Sequence, residues 1–368
     1  MRIPEFKLER FFAEHEFTAP YLLCASDCEA MSIDDLLALE PGARRGFDAL
    51  WLGYTESPGH PALRAAVVGL HEAIGADDML VHSGAEEAIF TFMNGLLNPG
   101  DHVIVHTPCY QSLMEIPAAI GCSVSPWRSR EDFAWGLSLD ELERLIEPAT
   151  RAVVVNLPHN PTGYLAPRAL FDRLIEICRA RGLILFSDEV YRGLEYDPAD
   201  RLPAAADAYG NAVSLGVMSK SFGLAGLRIG WVASRNREIL AAMARYKDYT
   251  TICNSAPSEY LATLAINHRD TVVGRNLEII SGNIERLDNF FERFSGVVSW
   301  VRPKAGAVAF PRVRDGGALF NGLLEKKGLL IAPGSNFGHG DTHFRLGFDR
   351  NNMAEALGKF AEYLEELN

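Results

Sequence analysis

A lysine set between two apolar, strand-like runs is the position in this sequence best placed to do chemistry. Val213 to Val217 reads as a buried strand, Ser219-Lys220-Ser221 as its exit, and Arg228-Ile229-Gly230-Trp231-Val232 as the strand that follows. Burial and nearby positive charge disfavour an ammonium group, so a lysine at the lip of a core can present the neutral amine that Schiff-base chemistry requires. Three other loops after apolar runs carry groups of matching use. Ser83-Gly84-Ala85 precedes a helical stretch, where backbone N–H groups and the helix dipole can hold a phosphate. Asn160 stands in the turn Asn156-Leu157-Pro158-His159-Asn160-Pro161-Thr162-Gly163. Asp188 ends the run Leu183 to Ser187, and a carboxylate leaving an apolar strand needs a cationic partner or tends to hold a proton. Taken singly, each has a plain alternative: a surface lysine, a helix cap, a turn, a structural salt bridge. Their order and spacing carry the information.

The elements around these residues follow an α/β rhythm. From Met79 onward, strand-like runs (Met79 to His82, His102 to His106, Cys122 to Val124, Arg151 to Asn156, Gly182 to Asp188) alternate with amphipathic helical stretches. That pattern predicts a largely parallel sheet, whose ligands bind at the carboxyl ends of the strands. Upstream lie a short amphipathic arm with Phe6, Leu8, Phe11, Phe12 and Phe17, a helix capped by Ser32 with Asp35, and a helix from Pro61 to Ile74. Downstream, helical periodicity dominates from Glu238, followed by short strand candidates and a closing helix from Met353 to Leu367. We expect a large α/β domain over residues 41–269 and a small α+β domain built from 1–40 together with 270–368.

Bulk properties narrow the function. The 368-residue chain is 48% hydrophobic and 23% charged, the composition of a globular protein with a large core. A net charge of −13 argues against nucleic-acid binding, which needs a basic face. No apolar run is long enough to span a bilayer and the opening residues lack a signal-peptide core, so a cytoplasmic, non-membrane protein is expected. The six scattered cysteines suit neither a disulfide framework nor a metal site, and no metal is expected.

At Asn-Pro-Thr-Gly, Ser-Asp-Glu-Val-Tyr and Ser-Lys-Ser-Phe-Gly-Leu-Ala-Gly-Leu-Arg-Ile-Gly-Trp together, the chain resembles the fold-type I pyridoxal-phosphate enzymes, specifically class I/II aminotransferases. The likeness runs from Leu52-Gly53-Tyr54 to Phe344-Arg345-Leu346-Gly347. It implies an aspartate-aminotransferase-like large domain with a mostly parallel seven-stranded sheet flanked by helices. It also implies pyridoxal 5′-phosphate as cofactor, held as a Schiff base on Lys220, which then shuttles the Cα proton. By the same resemblance Asp188 pairs with the pyridinium nitrogen, Asn160 and Tyr191 bond the ring O3′, and Tyr110 lies against the ring face. Ser83, Gly84, Ala85, Ser219 and Arg228 hold the phosphate, and Arg345 binds the substrate carboxylate as a bidentate fork. Tyr54 reaches the phosphate of the neighbouring subunit, implying a homodimer with shared sites.

Two positions depart from the family pattern. Val217 stands where a serine is usual, so one phosphate hydroxyl is lost and Ser219 substitutes in part. The N-terminal loop reads Ala25-Ser26-Asp27-Cys28-Glu29 in place of a glycine-containing one, with Ser26 next to the substrate. Carboxylates there would favour a cationic amino acid, unless Asp27 and Glu29 only cap the helix near Ser32. The expected reaction moves an amino group from an L-amino acid to a 2-oxo acid in a ping-pong cycle. The alternative on the same scaffold is a lyase or cyclase working by β- or γ-elimination. A third use of the scaffold, effector sensing in a transcription factor, fits poorly with an acidic chain that begins at once with the enzyme-like part.

Overall fold

The computed structural model describes residues 2–314 and 316–367. Its centre is a seven-stranded sheet. Numbered in chain order, the strands are β1 (Met79–His82), β2 (His102–Thr107), β3 (Ser123–Arg128), β4 (Thr150–Asn156), β5 (Ile184–Asp188), β6 (Ala212–Val217) and β7 (Gly230–Ala233). Most are short apolar runs buried on both faces, as a sheet covered by helices requires. The spatial order is β1-β7-β6-β5-β4-β2-β3, with β7 antiparallel to both its neighbours and the other pairs parallel.

The reversal of β7 follows from its connection. Between β6 and β7 the chain makes only a 3₁₀ turn at Ala225–Leu227, with no helix to carry it back across the sheet. The lysine-bearing segment therefore stays at the carboxyl edge. The sequence pattern placed Arg228 in this strand; instead it caps the 3₁₀ turn at φ +53°, outside β7. The helix from Pro61 likewise stops early, at Val68, because the chain tightens at Gly69. There Leu70 N–H reaches Val67 O at 2.9 Å and His71 N–H reaches Val68 O at 3.0 Å.

Helices cover both faces. The helix Ala85–Leu96 packs on one, where Phe92 meets Phe186 of β5 with ring centroids 4.4 Å apart. Arg168–Arg181 lies on the other, burying Phe171, Leu174 and Cys178. The remaining chain forms smaller sheets. Val308–Ala309, Phe344–Gly347 and Ala332–Pro333 make a three-stranded antiparallel sheet, and Tyr21–Leu22 pairs in parallel with Leu329–Leu330. The long helix Arg269–Arg293 and the final helix Met353–Glu366 pack against these. The amphipathic arm is a helix, α1 (Lys7–His15), burying Leu8. Among the described residues no helix is long and apolar enough to cross a membrane, and no cluster of three His, Cys, Asp or Glu could hold a metal ion.

A candidate cofactor site at the carboxyl edge of the sheet

Because β1, β2, β4, β5 and β6 run the same way, their exits lie along one edge. Asp188 is the last residue of β5 and Asn156 the last of β4; Ser83 follows β1, and Lys220 lies just beyond β6. Asp188 is buried, and one carboxylate oxygen accepts the Val190 N–H at 3.2 Å. No cation bonds it among the described residues, and burial pushes its pKa up to about 7. Asn156 fixes the two exits together: its Nδ2 donates to Asp188 O at 2.9 Å and its Oδ1 accepts Asn160 N–H at 2.6 Å. Sequence reasoning passed over Asn156; the signal was a lone amide closing an apolar strand.

Lys220 is partly buried and donates from Nζ to Ser26 Oγ at 2.9 Å. Burial pushes its pKa down; Asp27 opposes this and Arg345 adds to it. Ser26 arrives from the N-terminal part of the chain because that segment lies directly on the strand Phe344–Gly347. Gly347 N–H bonds Leu23 O at 2.9 Å, and a Cβ on Gly347 would stand 1.8 Å from Ala25 O. The same segment receives Tyr191, whose hydroxyl donates to Ser26 O at 3.0 Å.

Arg345, 1% exposed, donates to Cys24 O from Nε (3.2 Å) and Nη2 (2.7 Å) and from Nη1 to Asn160 Oδ1 at 3.3 Å. Its guanidinium lies 5.0 Å from the Phe337 ring centroid and 5.8 Å from that of Phe12. Lys220 and Tyr191 thus meet at Ser26, Asn160 meets Arg345, and Arg345 lies within electrostatic reach of both Lys220 and Tyr191.

The phosphate-type residues form a second group. Gly84 has φ +89°, and a Cβ there would sit 2.5 Å from Arg228 Nη2, so the guanidinium lies against the glycine's bare face. Ala85, first in its helix, has no intrahelical acceptor for its N–H. The Ser83 N–H is already taken by Glu87 Oε2 at 2.6 Å, so Ser83 offers its hydroxyl and not its amide. Ser219 is partly exposed, whereas Val217 is buried in the core.

Tyr110 precedes the helix Ser112–Ile120, with its ring 4.9 Å from that of Phe6 and its hydroxyl donating to Glu9 Oε1 at 3.0 Å. Glu9 and Glu16 were not singled out by the sequence reading, which named Phe12 only as part of the amphipathic arm, although the spacing of the three puts them on one helical face. Tyr54 is 87% exposed and makes no hydrogen bond among the described residues; Trp51, Leu52 and Tyr249 are also exposed. The two loop acids are both occupied. Asp27 Oδ2 is 3.0 Å from Arg350 Nη2, and Glu29 Oε2 accepts Asn351 N–H at 2.9 Å. Neither caps the helix at Ser32, where Asp35 closes the capping box.

This donor set fits pyridoxal phosphate: an amine of depressed pKa, a buried acid lacking a cation, a bare glycine beside an arginine, and a buried fork for a carboxylate.

Comparisons with known proteins agree. The family model described as "Aminotransferase class I and II" matches residues 24–360. Capreomycidine synthase from Streptomyces vinaceus is 30% identical, over 98% of this chain and 94% of that protein. An arginine–pyruvate transaminase from Pseudomonas aeruginosa is 31% identical, over 83% of this chain and 81% of its own. A solved PLP-dependent aminotransferase from Streptococcus suis has a TM-score of 0.94 at 30% identity, covering 100% of this chain and 99% of that one. A PLP-dependent cyclase, OrfR, has a TM-score of 0.91 at 29% identity, with the same coverage of both chains. The aspartate-aminotransferase-like α/β fold expected from the sequence is the fold observed.

Proposed function

The chain belongs to the class I and II aminotransferases, and from that premise we propose that it moves the amino group of an L-amino acid to a 2-oxo acid. Its cofactor is pyridoxal 5′-phosphate. When bound, that group supplies an electron sink for the charge that develops at the substrate Cα. The chain's own residues do the rest. Lys220 would hold the cofactor through its Nζ and, as a free amine, take and return the Cα proton. Asp188 would hold the ring nitrogen in its protonated form. Asn160 and Tyr191 would donate to the ring oxygen, and Tyr110 would cover the ring. Gly84, Ala85, Arg228 and the Ser83 and Ser219 hydroxyls hold the phosphate, and Arg345 with Asn160 and Ser26 orients the substrate.

The observation that carries this reading is the Lys220–Ser26 contact beside Asp188 and Arg345: a proton-transferring amine lies near both a group for the ring and a group for the substrate. We also propose a homodimer in which Tyr54 enters the neighbouring subunit's site, supported by the exposed Trp51, Leu52, Tyr54 and Tyr249. The division into residues 41–269 and 1–40 with 270–368 belongs to the same proposal.

A second reading, cyclisation or elimination, is favoured by the near full-length similarity to capreomycidine synthase and to the cyclase OrfR. One experiment separates them. With an amino acid and no 2-oxo acid, a transaminase converts one equivalent and stops with its cofactor in the amine form. Repeated turnover without an acceptor identifies a cyclase or lyase.

A further inference from the structure

α1 and its C-terminal cap bring three side chains to the mouth of this site from one face. Glu9, Phe12 and Glu16 are separated by three and four residues, the spacing that stacks side chains along a helix. Glu9 holds the Tyr110 hydroxyl at 3.0 Å, and Phe12 lies 5.8 Å from the Arg345 guanidinium. Gln111 fastens the start of the helix, accepting Lys7 N–H and donating to Glu5 O, both at 2.9 Å. The helix is thereby tied across the residue expected to cover the cofactor ring and the residue expected to hold the substrate carboxylate.

Glu16, immediately after α1, is partly buried and lies within electrostatic reach of Lys220, Asp27 and Arg350. Its carboxylate makes no hydrogen bond or ion pair among the described residues, whereas Asp27 is paired to Arg350 and Glu29 to the Asn351 amide. Burial, with Asp27 and Glu9 nearby, pushes the Glu16 pKa up, and the weaker opposing influence of Arg350 and Lys220 does not offset it. A substrate held by its carboxylate at Arg345, with its amine taking the place of Lys220, has its side chain left to contact what closes the site, and α1 is part of that closure.

Resting on the chemistry proposed at Lys220, we propose that Glu16, assisted by Glu9, recognises a positive charge at the end of the substrate side chain. The preferred amino acid then carries a guanidinium or an ammonium group. Asp27, suggested by the sequence alone, is not the recognising acid, because Arg350 neutralises it.

The test is equilibrium binding to the cofactor-loaded protein, with calorimetric titration of arginine, lysine, citrulline and 6-hydroxynorleucine. Citrulline is the neutral isostere of arginine and 6-hydroxynorleucine the neutral analogue of lysine of equal length, so each ratio isolates the charge, and the two pairs distinguish guanidinium from ammonium. We expect the wild type to bind one cation at least about tenfold more tightly than its isostere, the scale of a charge-assisted contact. Glu16→Gln should bring that ratio close to one, and Glu9→Gln should lower it partway. Hydrogen exchange over residues 7–16 should slow when the preferred cation binds. Equal affinity within both pairs in the wild type, or an unchanged ratio in the Glu9→Gln/Glu16→Gln double variant, overturns the proposal. Selective binding with no change in cofactor absorbance would support the recognition and defeat the reaction.

Discussion

Lys220 and Ser26 are 194 residues apart in sequence and share a 2.9 Å hydrogen bond from Nζ to Oγ. The contact exists because the segment ending at Ser26 lies against Gly347, the one residue type that lets Ala25 O approach so closely. Lysine position is therefore set by a loop outside the central sheet.

Ser26→Ala should reduce kcat with little loss of bound cofactor. The hydroxyl orients the amine without holding the phosphate, so a several-fold to about tenfold drop is expected, in line with about 1 kcal/mol for one hydrogen bond. Steady-state kinetics beside cofactor absorbance would check it. Equal kcat in the two proteins contradicts the positioning role.

Asp188 gives a prediction with a definite sign. Its pKa in the cofactor-free fold is about 7, against roughly 3.9 for an unfolded chain. Between those values the native state holds more protons than the unfolded one, so this group's contribution to stability falls as pH rises from about 4 to about 7 and stays low above. Asp188→Asn removes the charge. In calorimetry of the cofactor-free protein, its Tm relative to wild type should be more favourable at pH 8 than at pH 5. Asp349, also raised to about 7, is present in both proteins and cancels from the comparison.

Gly84→Ala should lower cofactor retention more than stability. The new Cβ would meet Arg228 Nη2 at 2.5 Å, the far end of a flexible side chain, and φ +89° adds backbone strain of about 1–2 kcal/mol. If Arg228 holds the phosphate as proposed, displacing it removes a charge-assisted contact, and dissociation of cofactor on dialysis should speed up by roughly tenfold or more. Retention equal to wild type would remove Gly84 and Arg228 from the phosphate site.

The dimer is testable by mass and by complementation. Sedimentation should give about twice the 40.5 kDa of one chain. Mixing an inactive Lys220→Ala chain with a Tyr54→Phe chain should yield hybrids in which one site has both residues intact, so activity should exceed that of either parent. A monomer, or no gain on mixing, counts against shared sites.

Much of this arrangement was legible beforehand, for physical reasons. The central strands announced themselves as apolar runs because a sheet buried on both faces leaves no polar face to blur the pattern. Chemistry-bearing residues fell at strand exits because parallel strands bring all those exits to one edge. What stayed hidden depended on contacts across long stretches of chain. Asp27 is paired with Arg350, 323 residues away, so its identity as a carboxylate said nothing of its availability. The direction of α1 was equally hidden, since its phenylalanines fit an amphipathic arm on any surface. Only the contacts to Gln111, Tyr110 and Arg345 reveal which surface it covers. Arg228 escaped its expected strand because no propensity signals a left-handed arginine.

The central claim is that Lys220 is the attachment point of the cofactor. Borohydride reduction of the loaded protein, followed by proteolysis and mass spectrometry, tests it directly. The account predicts the pyridoxyl adduct on the peptide containing Lys220, with no visible cofactor band and no adduct in Lys220→Ala. An adduct on another lysine in the wild type, or a reducible band that persists in Lys220→Ala, would contradict it.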